Sequence, residues 1–138
     1  MKFCLKKIAL AFLFILLIVG CSAKPANPTN DILAGLSEKA SQMAENILTS
    51  IKTNDYSLYI RDMDETMKNA STQESFNSLK AQFDQQLGGY KSFKFNHVVV
   101  EGNLYSFYYD VVFEKATVSM QMVLTKSDQP LVSGLWFK

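Results

Sequence analysis

The feature that most constrains this chain is a change in hydrophobic period near residue 90. Before that point, apolar residues recur every three or four positions, as they do along one face of a helix. After it, apolar and polar residues alternate, so that successive side chains point to opposite faces of a strand. Helices followed by alternating strands predict an α+β fold in which N-terminal helices pack on a curved four-stranded antiparallel sheet.

The alternating half of the chain predicts the pairing of its strands. A two-residue turn at 114–115 sets Phe107 opposite Met122 and Tyr109 opposite Met120, and every pair on that face is apolar. That face is therefore predicted to be the core. The other residues predicted to share it are Phe93, Phe95 and Val99 of the first strand and Leu131, Leu135 and Phe137 of the last.

The loop between the first two strands decides where the sole histidine points. A three-residue loop at 101–103 brings Phe93 and Phe95 to the core face, whereas a two-residue loop would bring a lysine and an asparagine there. The longer loop is therefore predicted. In that register His97 points into the core opposite Phe107, where an acid or base with a shifted pKa would be placed.

The opposite, outer face of the sheet carries fewer charges than a solvated antiparallel face usually does. With a four-residue loop at 126–129, Trp136 lies across from Ser119 and diagonal to Tyr108. Aromatic and aliphatic patches of this kind commonly mark binding surfaces, although the tether or the C-terminal residues offer an alternative cover. The members predicted for this face are Val98, Val100, Leu104, Ser106, Tyr108, Val112, Ser119, Gln121, Val123, Val132 and Trp136.

Three helices are predicted ahead of the sheet. The first spans about 31–52, where apolar residues recur at spacings of three and four after an N-cap at Asn30 or Asp31. A short second helix follows the polar turn residues at 52–56. The third begins at Ser71, because Ser71 and Glu74 form a capping-box pattern, and two glycines at 88–89 end it.

The first twenty residues have the layout of a bacterial export signal. Lysines at positions 2, 6 and 7 precede an unbroken apolar core at 8–19. A helix of that length rises only about 18 Å, well short of a hydrocarbon layer of about 30 Å. The segment therefore suits a cleaved signal better than a permanent membrane span.

The end of that segment, Ile18-Val19-Gly20-Cys21, resembles the lipobox of bacterial lipoproteins. The resemblance implies diacylglycerol on Cys21, cleavage after Gly20, and anchoring to the outer face of the cytoplasmic membrane, or to an outer membrane in a cell that has one. Two or three acyl chains hold a protein stably where a single chain does not. The alternative is an ordinary signal with an incidental cysteine.

This interpretation divides the chain into a signal peptide at 1–20, a lipidated cysteine and tether at 21–30, and a single domain at 31–138. The mature chain would have 118 residues (138 minus 20), and the loss of three lysines would take its formal charge from +1 to −2. Its lysines are scattered singly, so it lacks the basic stripe that nucleic-acid binding requires.

The chain also lacks the residue patterns of the common catalytic and metal sites. Cys4 and Cys21 are its only cysteines, and it has no paired histidines, no serine-hydrolase motif and no glycine-rich phosphate loop. No metal or cofactor is therefore expected. Asp55, Asp62 and Asp64 form a loose acidic group, which is better explained by helix caps and solvated surface than by a site.

Several short motifs, taken together, resemble an uncharacterised bacterial and archaeal domain family with the cystatin-like fold, related to the nuclear-transport-factor-two-like superfamily. The resemblance covers about 32–138 and implies a cone between sheet and helices, with no established activity to inherit. The residues that carry it are Lys52, Asn54, Asp55 and Tyr56; Met67, Lys68 and Ala70; Gly89, Tyr90, Lys91 and Ser92; Val112, Phe113 and Glu114; and Gly134, Leu135, Trp136 and Phe137.

The expected function is non-catalytic binding by a membrane-anchored envelope domain, of either a partner protein or a small apolar ligand. Tyr108 and Trp136 are the candidates for a partner surface, and the expected partner is an envelope protein or a second copy. Two alternatives remain open: a small enzyme with His97 as acid or base, and an assembly module that dimerises through the outer face. The candidates for a ligand pocket in the cone are His97, Phe107, Tyr109 and Met120.

Overall fold

The computed structural model describes residues 28–138, with side chains described from residue 33 onward. The signal peptide, the cleavage site after Gly20 and the lipidated Cys21 fall outside the described residues and stay predictions. No helix in the described range is both long enough and apolar enough to cross a membrane.

Within residues 28–138, four helices precede one four-stranded sheet, which confirms the predicted α+β class. The strands are antiparallel and lie side by side in chain order. The helices are α1 (Pro28–Thr53), α2 (Tyr56–Ile60), α3 (Glu65–Ala70) and α4 (Gln73–Gln86), and the strands are β1 (Tyr90–Glu101), β2 (Leu104–Phe113), β3 (Thr117–Thr125) and β4 (Val132–Phe137).

Side-chain caps set the starts of the short helices. The carboxylate of Asp55 accepts from the Leu58 N–H at 3.0 Å, and that of Asp64 accepts from the Met67 N–H at 2.8 Å. The interpretation of these two aspartates as helix caps is confirmed. The third member of the group, Asp62, instead accepts a 2.8 Å bond from the Asn46 amide of α1.

The predicted start of the last helix was wrong by one residue. Thr72, not Ser71, caps α4 and accepts from the Ser75 N–H at 3.2 Å. Ser71 ends the unpredicted α3 instead, where its N–H donates to the Met67 carbonyl. The capping-box pattern therefore predicted the helix start in the right region but assigned the cap to Ser71 and not to Thr72.

The core lies between the helices and one face of the sheet. The predicted pairs Phe107 with Met122 and Tyr109 with Met120 are both present, and all four side chains are fully buried. Helix α4 packs on the sheet through Phe83, whose ring meets that of Phe113 edge-on at 5.4 Å. The buried hydrophobic cluster runs from Ala40 to Val132, so a chain that begins at residue 22 keeps all of it.

The predicted pairing of β1 was wrong around His97. The loop has two residues, because Glu101 pairs with Leu104, and Gly102 adopts a positive φ of 56° at the first central position. An irregularity between Phe95 and His97 then shifts the alternation by one residue. Phe93 and Phe95 still reach the core face, but His97 moves to the outer face opposite Tyr108.

The same shift changes the faces that were predicted for the valines of β1. Val98 pairs with Phe107 and Val100 with Tyr105, so both lie on the core side and not on the outer face. Val99 pairs with Ser106 and takes their place on the outer face.

A second irregularity changes the pairing that was predicted for the start of β4. Leu124 pairs with Val132 while Val123 pairs with Gly134, which leaves Ser133 as an extra residue. Val132 is therefore fully buried and Leu131 is exposed, the reverse of the prediction. The predicted core positions of Leu135 and Phe137 are confirmed, because these residues pair with Met122 and Met120.

Candidate functional site

Four residues lie in one row across the outer face of the sheet. They include Tyr108 and Trp136, which the sequence predicted for a binding surface, and His97, which it predicted for the core. His97 pairs with Tyr108, Tyr108 with Gln121, and Gln121 with Trp136. We call these four residues the outer-face row. The row crosses all four strands and spans about 14 Å at the usual strand spacing. Trp136 therefore lies opposite Gln121, and its predicted position opposite Ser119 was wrong.

The His97 and Tyr108 rings are in direct contact at one end of the row. Their centroids are 4.4 Å apart and their planes differ by 8°, which is a stacked arrangement. His97 Nδ1 lies 3.1 Å from the Asn96 side-chain oxygen, and the Asn96 amide nitrogen lies 3.3 Å from both Asp110 carboxylate oxygens. Because that nitrogen donates to Asp110, the Asn96 oxygen accepts from His97 Nδ1–H and fixes the tautomer of the neutral ring.

Trp136 forms the other end of the row, and its ring lies over the backbone of its own strand. Its indole is 50% exposed, and a Cβ built on Gly134 would collide with the indole carbons Cη2 and Cζ3. Only glycine at this position leaves room for the ring. Gly134 is buried beneath it, and Val123, the residue paired with Gly134, is only 7% exposed although it belongs to the outer face.

The chemistry of the row suits contact better than catalysis. His97 is exposed, so the enclosed position that the acid–base hypothesis required is not where the structure places it. No three histidine, cysteine, aspartate or glutamate side chains within 28–138 come close enough to hold a metal ion. The row instead offers large flat rings and an amide, and Lys138 Nζ donates to that amide, on Gln121, at 3.2 Å.

The other predicted pocket residues fill the interior of the domain. Phe107, Tyr109 and Met120 have no exposed surface. Burial raises the pKa of Tyr109 to about 12, and the neighbouring Ser41 hydroxyl of α1 opposes that rise. Despite this proximity, the Tyr109 hydroxyl forms no hydrogen bond with any described residue.

Sequence reasoning missed a groove between α1 and the edge strand β1. Its volume is about 390 Å³. The helix contributes polar side chains at spacings of three, four and seven residues, a pattern that in sequence resembles an ordinary solvated helix face. Only the position of β1 beside that face could have revealed the groove. Its lining residues are Glu38, Ser41, Gln42, Glu45, Asn46 and Phe93.

The fold and this surface define a single α+β domain that has a helical layer on one face of its sheet and an aromatic row on the other. A family described as "Protein of unknown function (DUF3887)" matches residues 44–129, which is 86 of the 138 residues (129 minus 44, plus 1), and the chain belongs to this family. The match includes His97, Tyr108 and Gln121 and ends before Trp136. No curated protein and no solved structure matches the chain.

Proposed function

We propose that this chain is a membrane-anchored lipoprotein of the cell envelope whose domain binds a protein partner, without catalysis, through the outer-face row. We further propose that this partner is a second copy of the chain. The observation that carries the proposal is the row itself: a stacked His97–Tyr108 pair and a half-exposed Trp136 aligned on the sheet face opposite the helices.

The size and shape of the face support a weak, reversible contact. Tyrosine and tryptophan are enriched among the residues that dominate binding energy at interfaces. Four strands about 4.8 Å apart, with about six residues each, give a flat area on the order of 400 Å². That is below the roughly 800 Å² per partner of a standard stable interface. A membrane anchor would offset this weakness by raising the effective concentration of neighbouring copies.

The charges at the margin of the row favour a second copy over a partner of one charge sign. Lys94 pairs with Asp110 beside the row, and Lys138 lies at its other end. Because both signs are present, two identical faces meet without net repulsion, and a two-fold arrangement can set a lysine of one copy against the aspartate of the other.

The anchor would keep the domain close to the bilayer. The lipobox ends at Cys21 and α1 begins at Pro28, so seven residue steps separate the proposed lipid from the helix. At an extended length of about 3.5 Å per residue, the linker reaches about 25 Å at most.

We expect Trp136→Ser to weaken self-association of the chain from residue 22 onward by at least about tenfold, because the substitution removes the largest ring of the row. Sedimentation velocity over a series of concentrations measures the effect. Leu131→Ser is the matched control, since Leu131 is also exposed, at 39%, but lies outside the row. A wild-type chain that is monomeric at all concentrations, or a Trp136→Ser chain that associates as the wild type does, would rule out this surface.

We expect Cys21→Ala to block lipidation and maturation of the full-length chain expressed in bacteria. The wild-type chain should take up radiolabelled palmitate and appear in the membrane fraction at its mature size, because acylation of Cys21 precedes cleavage in lipoproteins. The variant should remain unlabelled and about 20 residues longer. Cys4→Ala is the control and should behave as the wild type does. Normal processing of Cys21→Ala would refute the anchor.

A further inference from the structure

One end of the sheet carries most of the exposed large apolar side chains. Within residues 33–138 five such side chains are exposed, and three of them, Val100, Leu104 and Leu131, lie beside the loops that join β1 to β2 and β3 to β4. We call this part of the domain the loop end. The other two lie near the middle of the sheet. Exposed apolar side chains that are gathered in one place commonly mark a contact surface.

The pairing of the strands places these three side chains next to one another. Leu104 pairs with Thr125, and the Thr125 N–H donates to the Leu131 carbonyl at 3.0 Å, so the two leucines lie on either side of one threonine. Val100 lies on the neighbouring strand β1, where it pairs with Tyr105 on the core side. The apolar surface therefore covers both faces of the sheet at the loop end.

Two lysines accompany this apolar surface. The Lys126 N–H donates to the Asn103 carbonyl at 2.9 Å, which holds the two loops together, and Lys126 Nζ lies 5.6 Å from the centre of the Tyr105 ring. Lys39 of α1 shares a cleft of about 450 Å³ with Lys126 and Tyr105. Neither lysine forms an ion pair with any residue that the structure describes. Long cationic side chains beside apolar ones suit a lipid surface, because their stems lie on apolar groups while their charges reach the phosphates.

Acidic residues limit the attraction of the loop end to anionic lipid. Glu101 and Asp128 are exposed at this end and offset the charge of the two lysines. Contact with a bilayer would therefore depend mainly on the apolar side chains and would be weak for a free domain. A lipid anchor on the same chain would raise the effective concentration enough to make it persistent.

The start of α1 brings the proposed lipid anchor to this same end. Leu36 lines the cleft with residues of the 126–130 loop, whereas Glu45, further along the helix, lines a groove with Phe93 near the start of β1. The N-terminal direction of α1 is therefore toward the loop end. Pro28 precedes Leu36 by eight residues (36 minus 28), which is about 12 Å of helix. The tether from Cys21, about 25 Å at most, thus joins the domain at the loop end.

We propose that the loop end rests on a phospholipid bilayer, with Val100, Leu104 and Leu131 at the interface and Lys39 and Lys126 at the lipid phosphates. This inference rests on the proposed anchor at Cys21. The strands then stand upright on the membrane. The outer-face row faces sideways, about 13 Å above Leu104 at about 3.3 Å per residue, where neighbouring anchored copies can meet through it.

The test attaches the domain to vesicles without relying on cellular lipidation. A chain that begins at Cys21 has a single thiol, because Cys4 is the only other cysteine, and it keeps the whole buried cluster. Coupling this thiol to a maleimide phospholipid, in vesicles of equal parts phosphatidylcholine and phosphatidylglycerol, reproduces the anchor at low surface density. A failure of lipidation in cells and a failure of the bilayer contact therefore give separate results.

A tryptophan at the loop end reports contact with lipid. Trp136→Phe removes the only native tryptophan; in that chain Leu104→Trp places one indole at the loop end, and Thr117→Trp places one at the opposite end as the matched control. Phospholipids brominated on their acyl chains quench only an indole that comes close to them. We expect Leu104→Trp to be quenched at least about threefold more than Thr117→Trp, because interfacial side chains reach the acyl boundary. Equal quenching of the two, or no quenching of Leu104→Trp, would overturn the proposal.

A charge at the loop end tests the contribution of its apolar side chains. Leu131→Glu, added to the Leu104→Trp chain, should lower the quenching at least about twofold, because a carboxylate is disfavoured at the acyl boundary. Thr117→Glu is the control and should leave the quenching unchanged. Both positions are exposed, so both chains should fold. Unchanged quenching in Leu131→Glu, or a Leu104→Trp emission that follows protein density and not brominated lipid, would contradict the bilayer contact; the second result would assign this end to a second copy.

Discussion

Replacing Phe107 with alanine is expected to lower the free energy of unfolding by about 3–5 kcal/mol. Phe107 is fully buried in the middle of β2, between Val98 of β1 and Met122 of β3, with helices on its side of the sheet. Truncation would leave a cavity that rigid neighbouring strands cannot close. Urea unfolding followed by circular dichroism measures the loss.

The matched control for this prediction lies on the other face of the same strand. Leu104 is 42% exposed, and Leu104→Ala should lower the free energy of unfolding by less than about 1 kcal/mol. Similar losses in the two variants would mean that the core face has been assigned to the wrong side of the sheet.

Raising the pH from 10 to 12 is expected to cost the domain about 2–3 kcal/mol of stability through Tyr109 alone. Burial raises the pKa of Tyr109 to about 12 in the folded chain, against an ordinary value of 10.0. Between these two values the unfolded chain releases a proton that the folded chain keeps. The stabilisation is therefore complete below pH 10 and is lost as the pH rises through 12.

The measurement compares urea unfolding of the wild type and Tyr109→Phe at several pH values between 8 and 12. At pH 8 the variant should be at least as stable as the wild type, because the hydroxyl has no hydrogen-bond partner in the described residues. Above pH 10 the variant should lose less stability than the wild type. Tyr90 is shifted in the same direction and stays in both chains, so some pH dependence should remain. Parallel curves for the two chains would contradict the burial of this phenol.

The sequence was sufficient for the pairing of β2 with β3. In both strands every second residue along one face is apolar, and the two-residue turn at 114–115 leaves only one register in which all facing pairs on that side are apolar. A shift by a single residue would have turned every core side chain toward solvent.

The pairing of β1 could not be obtained in this way, because a strand irregularity breaks the alternation. Asn96 and His97 are consecutive polar residues that follow the alternating residues 93–95, and the irregularity falls between Phe95 and His97. This polar pair was the sequence signal for the irregularity. The irregularity allows Phe93 and Phe95 to lie on the core face although the loop has only two residues. The extra residue at Ser133 moved Trp136 opposite Gln121 for the same reason.

Helix α3 and the groove were missed for different physical reasons. Residues 65–70 include no buried side chain, so no hydrophobic period predicts the helix. Its start depends on the Asp64 cap. The groove depends on which element lies opposite a polar helix face. That relation is a property of the tertiary structure and leaves no periodic trace in the sequence.

The fluorescence of Trp136 tests most directly whether the outer-face row is the contact surface. Trp136 is the only tryptophan of the chain and is 50% exposed in a single copy. Its emission would be recorded from low-micromolar to near-millimolar concentrations of the chain from residue 22 onward, alongside sedimentation. If the row pairs two copies, the emission should shift to shorter wavelength in step with association, because the indole leaves water. A constant emission maximum while the chain associates, or no association at any concentration, would contradict the proposed contact.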